Sequence, residues 1–178
     1  MFARAILVLF ALSLPATAQD AALRVGDGIE TLLYGVYCAQ EPIREDPAPE
    51  TANGTINIVP SIPDFQFRSK IVPAEIGIGF GVVSSAPLGV DHGAVTVTVT
   101  HPPFPGSGVE VERWQTDIGS GPNLTGFSFD HDHELVLGEW TFHAVTESGE
   151  ELFFIAFEVV APDLMPQVMD TCFDSFVS

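Results

Sequence analysis

The sequence predicts an all-β protein, an antiparallel immunoglobulin-like β-sandwich of about eight or nine strands. Apolar and polar residues alternate with a period of two, as in residues 94–101 (AVTVTVTH), a pattern typical of half-buried strands. The 16 Gly and 14 Pro residues cluster between such runs and mark turns. After residue 18 no sustained helical stripe of apolar residues follows. A small closed β-barrel is the alternative architecture.

Successive runs along the chain carry this strand signal, through alternation or through β-branched and aromatic residues. Residues 102–108 (PPFPGSG) exclude helix and separate two runs, and residues 147–150 (ESGE) predict a hairpin turn. Residues 40–53 are polar and Pro-rich and predict a loop, and residues 161–178 predict an irregular tail. In chain order the predicted strands are 29–39, 55–59, 65–69, 75–84, 94–101, 109–118, 124–130, 139–146 and 151–160.

The first 18 residues have the layout of a secretory signal peptide. Arg4 precedes a ten-residue apolar run, and small residues stand just before Gln19. The run is about half of the roughly 20 residues that a membrane-spanning helix needs. We therefore expect cleavage after residues 1–18, a single β-sandwich domain over residues 19–178, no membrane span, and a periplasmic or secreted location.

The charge balance limits the classes of partner. The chain has 24 Asp and Glu residues against 6 Lys and Arg residues, a formal net charge of −18. A nucleic-acid-binding protein needs basic side chains to neutralise phosphates, so this balance argues against that class.

The two cysteines predict a disulfide. An exported chain meets an oxidising compartment, and an even count of cysteines allows one bridge. A bridge between Cys38 and Cys172 would close a long loop and stabilise the fold by about 2–5 kcal/mol. The alternative is a pair of buried thiols.

The most concentrated set of candidate ligands for a metal is the sequence Asp130-His131-Asp132-His133-Glu134. On an extended segment His131 and His133 point the same way, so they predict a Zn²⁺ or Cu²⁺ site when a third ligand comes from elsewhere. Asp130, Asp132 and Glu134 instead offer oxygen ligands to Ca²⁺. The alternative is a solvated polar loop.

Two features predict an interaction surface. Gly77, Gly79 and Gly81 alternate with apolar residues and give a strand one flat glycine face, which permits the close approach of a partner. Trp114 alternates with glutamates and is a candidate for stacking on a sugar or a peptide. For both features the alternative is tight internal packing.

The chain carries no familiar catalytic motif, so we do not expect an enzyme. The sequence favours an exported binding module whose ligand is an unknown protein or glycan. We expect this module to need no cofactor. One alternative is a periplasmic protein that binds a divalent metal through residues 130–134, with His101 or His143 as a third ligand. The alternative for each of these two is a hydrogen-bonded structural histidine. The other alternative is a hydrolase that uses a pair of carboxylates which no motif identifies.

Several short motifs resemble the bacterial domain-of-unknown-function family three-eight-five-nine, which consists of short exported proteins. The resemblance covers residues 30–160. Because that family has no assigned activity, the resemblance implies no catalytic residues. The matching stretches are residues 35–39, 47–51, 54–57, 72–82, 100–103, 129–130 and 134–142.

Overall fold

The computed structural model describes residues 22–173, which form eleven strands and one α-helix. The predicted signal peptide, residues 1–18, lies outside the described residues. In chain order the elements are β1 (Leu23–Val25), β2 (Thr31–Cys38), β3 (Arg44–Pro47), β4 (Thr55–Ile58), β5 (Ile71–Pro73), β6 (Ile78–Ser85), β7 (Ala94–Thr100), β8 (Val111–Asp117), β9 (Asn123–Ser128), β10 (Gly138–Thr146), β11 (Glu151–Val160) and α1 (Pro166–Phe173).

The strands form two main sheets and a separate hairpin. One sheet has the order β1-β11-β10-β7-β8, and β5 also joins it by pairing with β11. The other has the order β2-β6-β9, and β3 and β4 pair only with each other. All pairings are antiparallel except that of β5 with β11. Strands β8 and β9 are therefore edge strands, one in each main sheet.

The two main sheets face each other across a single apolar core. In β7 the valines Val95, Val97 and Val99 are fully buried while the intervening threonines are less so, as the alternating sequence requires. The ring of Phe80 on β6 lies 5.2 Å from that of Phe157 on the opposite sheet. These contacts confirm the predicted antiparallel β-sandwich, and no sheet within residues 22–173 closes into a barrel.

The structure differs from the sequence-based element list in detail. Strands β1, β3 and β5 are additional, because each has only three or four residues and is too short to show an alternation. The predicted strand at residues 65–69 is limited to a single bridge between Phe67 and Val36. The predicted loop over residues 40–53 contains β3, and the predicted irregular tail contains α1.

The predicted disulfide between Cys38 and Cys172 is confirmed. It joins the end of β2 to α1, and the two Cα atoms are 5.3 Å apart. Helix α1 also inserts the fully buried Val168 into the core. The described part of the chain contains no helix of the length and apolarity needed to cross a membrane.

Candidate functional site

A groove with a volume of about 900 Å³ runs along the open edge of the sandwich. It lies between β4, β8 and β9, so the β3–β4 hairpin covers it from one side. Its lining combines apolar side chains, amides and hydroxyls with four carboxylates. The main apolar lining residues are Ile56, Ile58, Trp114, Leu124 and Phe127.

Strand alternation explains why β8 supplies one wall of this groove. Glu112, Trp114 and Thr116 share the inward face of β8, while Arg113 and Gln115 on the other face are exposed. Trp114 is partly buried against the core and also lines the groove. The structure thus places the tryptophan that the sequence singled out in the groove wall.

The outer edge of β9 faces the groove. The main-chain N–H of Phe129, the residue just after β9, donates to the carbonyl of Ile78. In an antiparallel pair every second residue is hydrogen-bonded to the partner strand, so every second residue counted back from Phe129 is bonded to β6. The main-chain groups of Leu124, Gly126 and Ser128 therefore point away from β6. Nothing in residues 22–173 pairs with this side of β9 as a strand, and all three residues line the groove.

A turn of the hairpin docks on two buried carboxylates next to the groove. The Ala52 N–H donates to Glu112 Oε1 at 2.7 Å, and Asn53 Nδ2 donates to Glu134 Oε1 at 2.9 Å. Glu112 is 4% exposed and Glu134 is 2% exposed. Glu134 Oε2 also accepts the main-chain N–H groups of Asp130 and His131. These bonds satisfy charges that would otherwise be costly to bury, and they fix the hairpin over the groove.

The imidazole of His101 lies behind Glu112. Its ring stacks against those of Phe104 and Trp140, at centroid distances of 4.0 and 4.5 Å. Its Nδ1 donates to the carbonyl of Pro102 at 2.8 Å, which leaves Nε2 without a hydrogen-bond partner, 3.9 Å from Glu112 Oε2. Burial lowers the pKa of His101 and raises the pKa of Glu112. Both shifts are toward the neutral form of the group. The hydrogen bond to Pro102 and the ring contacts fit the structural alternative that the sequence left open for His101.

Sequence reasoning missed the role of Glu112 and Glu134. The alternation of β8 does place Glu112 on the same face as Trp114, so that signal was present. The burial of both carboxylates, however, depends on Ala52 and Asn53, which are about 60 and 81 positions away. No local pattern in the sequence predicts that contact.

The candidate metal ligands lie at one end of the groove. His131 and His133 stack with parallel rings at a centroid distance of 5.4 Å, and Asp130 Oδ2 accepts a hydrogen bond from Asn57 at 2.7 Å. Asp132 is exposed in the 3-10 turn Asp132–Glu134. The described residues contain no group of three or more His, Cys, Asp or Glu side chains arranged to hold a metal ion. The metal site stays a prediction.

The glycine face is packed inside the molecule. Gly79 and Gly81 are buried in β6, the central strand of its sheet. A Cβ atom on Gly79 would collide with the ring of Tyr37, and one on Gly81 with the carbonyl oxygen of Thr125. Gly77 lies beside the ring of Phe173 and has φ +88°, a conformation that glycine adopts readily. The packing alternative thus describes Gly79 and Gly81, and an interaction surface at Gly77 stays a prediction.

Fold and groove together define an antiparallel β-sandwich with an open-edged cleft. The chain belongs to the family described as a domain of unknown function (DUF3859), which matches residues 27–159. This match confirms the resemblance seen in the sequence motifs.

Comparison with known proteins gives two further findings. No curated protein sequence matches the chain. The crystal structure of an immunoglobulin-like protein (PA1606) from Pseudomonas aeruginosa is similar, with 18% identity and a TM-score of 0.49, over 80% of this chain and 100% of that one.

Proposed function

We propose that this protein is an exported, non-enzymatic immunoglobulin-like binding module whose ligand occupies the groove along β8 and β9. The observation that carries this proposal is the groove itself. Its volume of about 900 Å³ lies within the range of roughly 300–1,000 Å³ that is typical of ligand sites. Its lining mixes apolar side chains with many polar ones, so a ligand there can make both hydrophobic contacts and hydrogen bonds.

The state of the buried carboxylates supports a binding role over hydrolysis. A hydrolase of the two-carboxylate type needs one acid and one base that face the substrate. Here one oxygen of Glu112 and both oxygens of Glu134 accept N–H groups of the protein. These carboxylates therefore hold the hairpin in place.

Two observations support export. The first is the signal-peptide layout of residues 1–18. The second is the Cys38–Cys172 disulfide, because such bonds persist in oxidising compartments such as the periplasm.

The fluorescence of Trp114 provides the test. The chain has two tryptophans, and Trp140 is fully buried while Trp114 lines the groove. The protein is titrated with soluble oligosaccharides and with pools of short peptides. A ligand in the groove should shift the emission of the wild type, and the conservative variant Trp114→Phe should lose that response.

A blocking variant and a matched control complete this test. Thr116→Arg places a long side chain in the groove, and Ser148→Arg makes the same charge change in the distant β10–β11 turn. Each original hydroxyl has one side-chain hydrogen bond. We expect Thr116→Arg to abolish binding and Ser148→Arg to preserve it. Saturable binding that survives Thr116→Arg and leaves the Trp114 emission unchanged would contradict the proposal.

A further inference from the structure

The free edge of β9 is the part of the groove that bears most directly on the chemistry of the ligand. Leu124, Gly126 and Ser128, at alternate positions of β9, direct their main-chain N–H and C=O groups away from β6, and all three residues line the groove. An edge of this kind is a template for pairing with another extended chain. A sugar does not offer donors and acceptors with the matching strand repeat.

From this edge, and resting on the function proposed above, we infer that the groove binds an extended, basic polypeptide segment that adds to β9 as an antiparallel or parallel strand. Main-chain hydrogen bonds to β9 supply affinity in this mode of recognition, and pockets for alternate side chains supply specificity. Trp114 and Phe127 are the aromatic contacts for the apolar side chains of such a segment.

The size of the groove fits one strand. A strand rises about 3.4 Å per residue, lies about 4.8 Å from its neighbour and takes up about 10 Å between packed faces. A six-residue segment that matches the six residues of β9 therefore fills roughly 980 Å³ on that spacing. The volume of the groove is about 900 Å³.

The local chemistry of β9 also favours a peptide. At Gly126, in the middle of the edge, the Tyr37 hydroxyl takes the space that a Cβ atom would fill, so the side-chain contacts of this part of β9 come from its neighbours. Leu124 and Ser128 on either side of it offer an apolar and a polar contact.

The charge of the groove selects a basic segment. Glu45 and Asp130 are exposed in its lining, and no lysine or arginine lines it among the described residues. The whole chain carries a formal net charge of −18. This field attracts cationic segments and raises their rate of association. It repels a second copy of the chain, so edge-to-edge pairing of two copies is disfavoured.

The experiment begins with a selection. Random linear heptapeptides displayed on phage are selected against the mature protein, and the selected peptides are synthesised. We expect them to alternate apolar residues with Lys or Arg. We expect N-methylation of every second peptide amide to weaken binding by about tenfold or more, because it removes the main-chain donors and preserves every side chain.

A matched pair of protein variants tests the same main-chain hydrogen bonds by changing the protein instead of the peptide. Leu124→Pro removes the outward N–H without removing a bond of the β6 ladder, and proline is tolerated on edge strands. Leu124→Ala removes the side chain and retains the N–H. We expect Leu124→Pro to weaken peptide binding by about tenfold and Leu124→Ala by clearly less. The N-methylated peptides test the wild type, so the result does not depend on the folding of the proline variant.

The alternatives give different results. Failure to select any peptide, or binding that N-methylation and Leu124→Pro leave unchanged, would overturn the inference. A panel of soluble oligosaccharides is titrated in parallel with Trp114 emission as the readout. Oligosaccharide binding without peptide binding overturns the peptide inference and leaves the groove as the ligand site. Binding outside the groove, with Trp114 emission unchanged, overturns the function proposed for the groove as well.

Discussion

The centre of the sandwich and its open edge are built from the same alternating strands, yet they differ in chemistry. At the centre, Phe80 is fully buried and its ring contacts those of Trp140, Phe142 and Phe157. At the edge, the inward positions of β8 hold the buried Glu112 and the partly exposed Trp114. An inward-facing residue thus becomes core only where a second sheet lies opposite.

The offset between the sheets explains this difference. Phe80 on β6 faces β10 and β11, and Phe127 on β9 contacts Trp140 on β10 at 4.9 Å. The three-stranded sheet therefore lies over the middle of the larger one, and β8 extends beyond it. The β3–β4 hairpin covers this overhang through a few hydrogen bonds, and the groove is the space that remains.

The largest effect is expected at the centre. Phe80→Ala should lower the free energy of unfolding by about 3–5 kcal/mol, because it removes a fully buried ring and leaves a cavity. Urea unfolding measures this loss. Leu137→Ala is the control, since Leu137 is 54% exposed, and should cost less than about 0.5 kcal/mol. Equal losses in the two variants would contradict the assignment of the core.

The next effect concerns the attachment of the hairpin. Glu134→Ala removes the acceptor of three N–H groups and should lower the free energy of unfolding by roughly 2–3 kcal/mol. Glu139→Ala makes the same charge change at an exposed position of β10 and should have little effect. Faster hydrogen exchange in residues 51–54 of the Glu134→Ala variant should accompany the loss. Unchanged exchange there would show that Glu134 does not hold the hairpin.

A smaller, pH-dependent effect is expected at Glu112. Burial raises the pKa of Glu112 above that of the unfolded chain, so folding favours its protonated form. The ionised form costs stability in full above the raised pKa; this cost shrinks as the pH falls through the raised pKa and is gone below the ordinary pKa of the unfolded chain. Glu112→Gln removes the charge and places an N–H donor near the unpartnered Nε2 of His101.

We expect Glu112→Gln to stabilise the protein by roughly 1 kcal/mol at neutral pH, with a gain that shrinks in acid. Urea unfolding from pH 4 to pH 8 measures the difference from wild type. Glu110→Gln, at an exposed position, is the control for the change in net charge. A gain that is constant with pH would contradict a raised pKa for Glu112.

The smallest effect is expected in the loop that carries the candidate metal ligands. His131→Ala combined with His133→Ala should change the metal-free stability by less than about 1 kcal/mol, because His131 is exposed. The metal prediction also requires that a divalent metal ion stabilises the wild type. Zn²⁺ at 100 times its dissociation constant should stabilise the wild type by about 2.7 kcal/mol, and EDTA or the double variant should abolish this gain. A melting temperature that no divalent metal changes would refute the metal site.

The sequence was informative where structure depends on local alternation. Val95, Val97 and Val99 predicted a strand, and the pair Cys38 and Cys172 predicted the disulfide. The alternation around Trp114 singled out a residue that lines the groove, and its role as a ligand contact stays a prediction. Each of these signals lies in the period of one strand or in the chemistry of one residue type.

The rest depends on how separate elements meet. The hairpin strand β3 is Arg44–Pro47, a polar segment without alternation, so its strand was missed. The groove arises from the offset between two sheets and from the contact of residues 51–54 with Glu112 and Glu134. A single sequence contains no signal for such long-range contacts.

Hydrogen exchange at the amides of β9 tests the central claim most directly, since it asks whether this edge is free before any ligand is known. In the mature protein, we expect Leu124, Gly126 and Ser128 to exchange much faster than Thr125 and Phe127, whose amides form the ladder with β6. A bound strand should then slow the exchange of the first three. Equal protection of all five amides in the free protein would contradict the open edge and, with it, the groove as a site for strand addition.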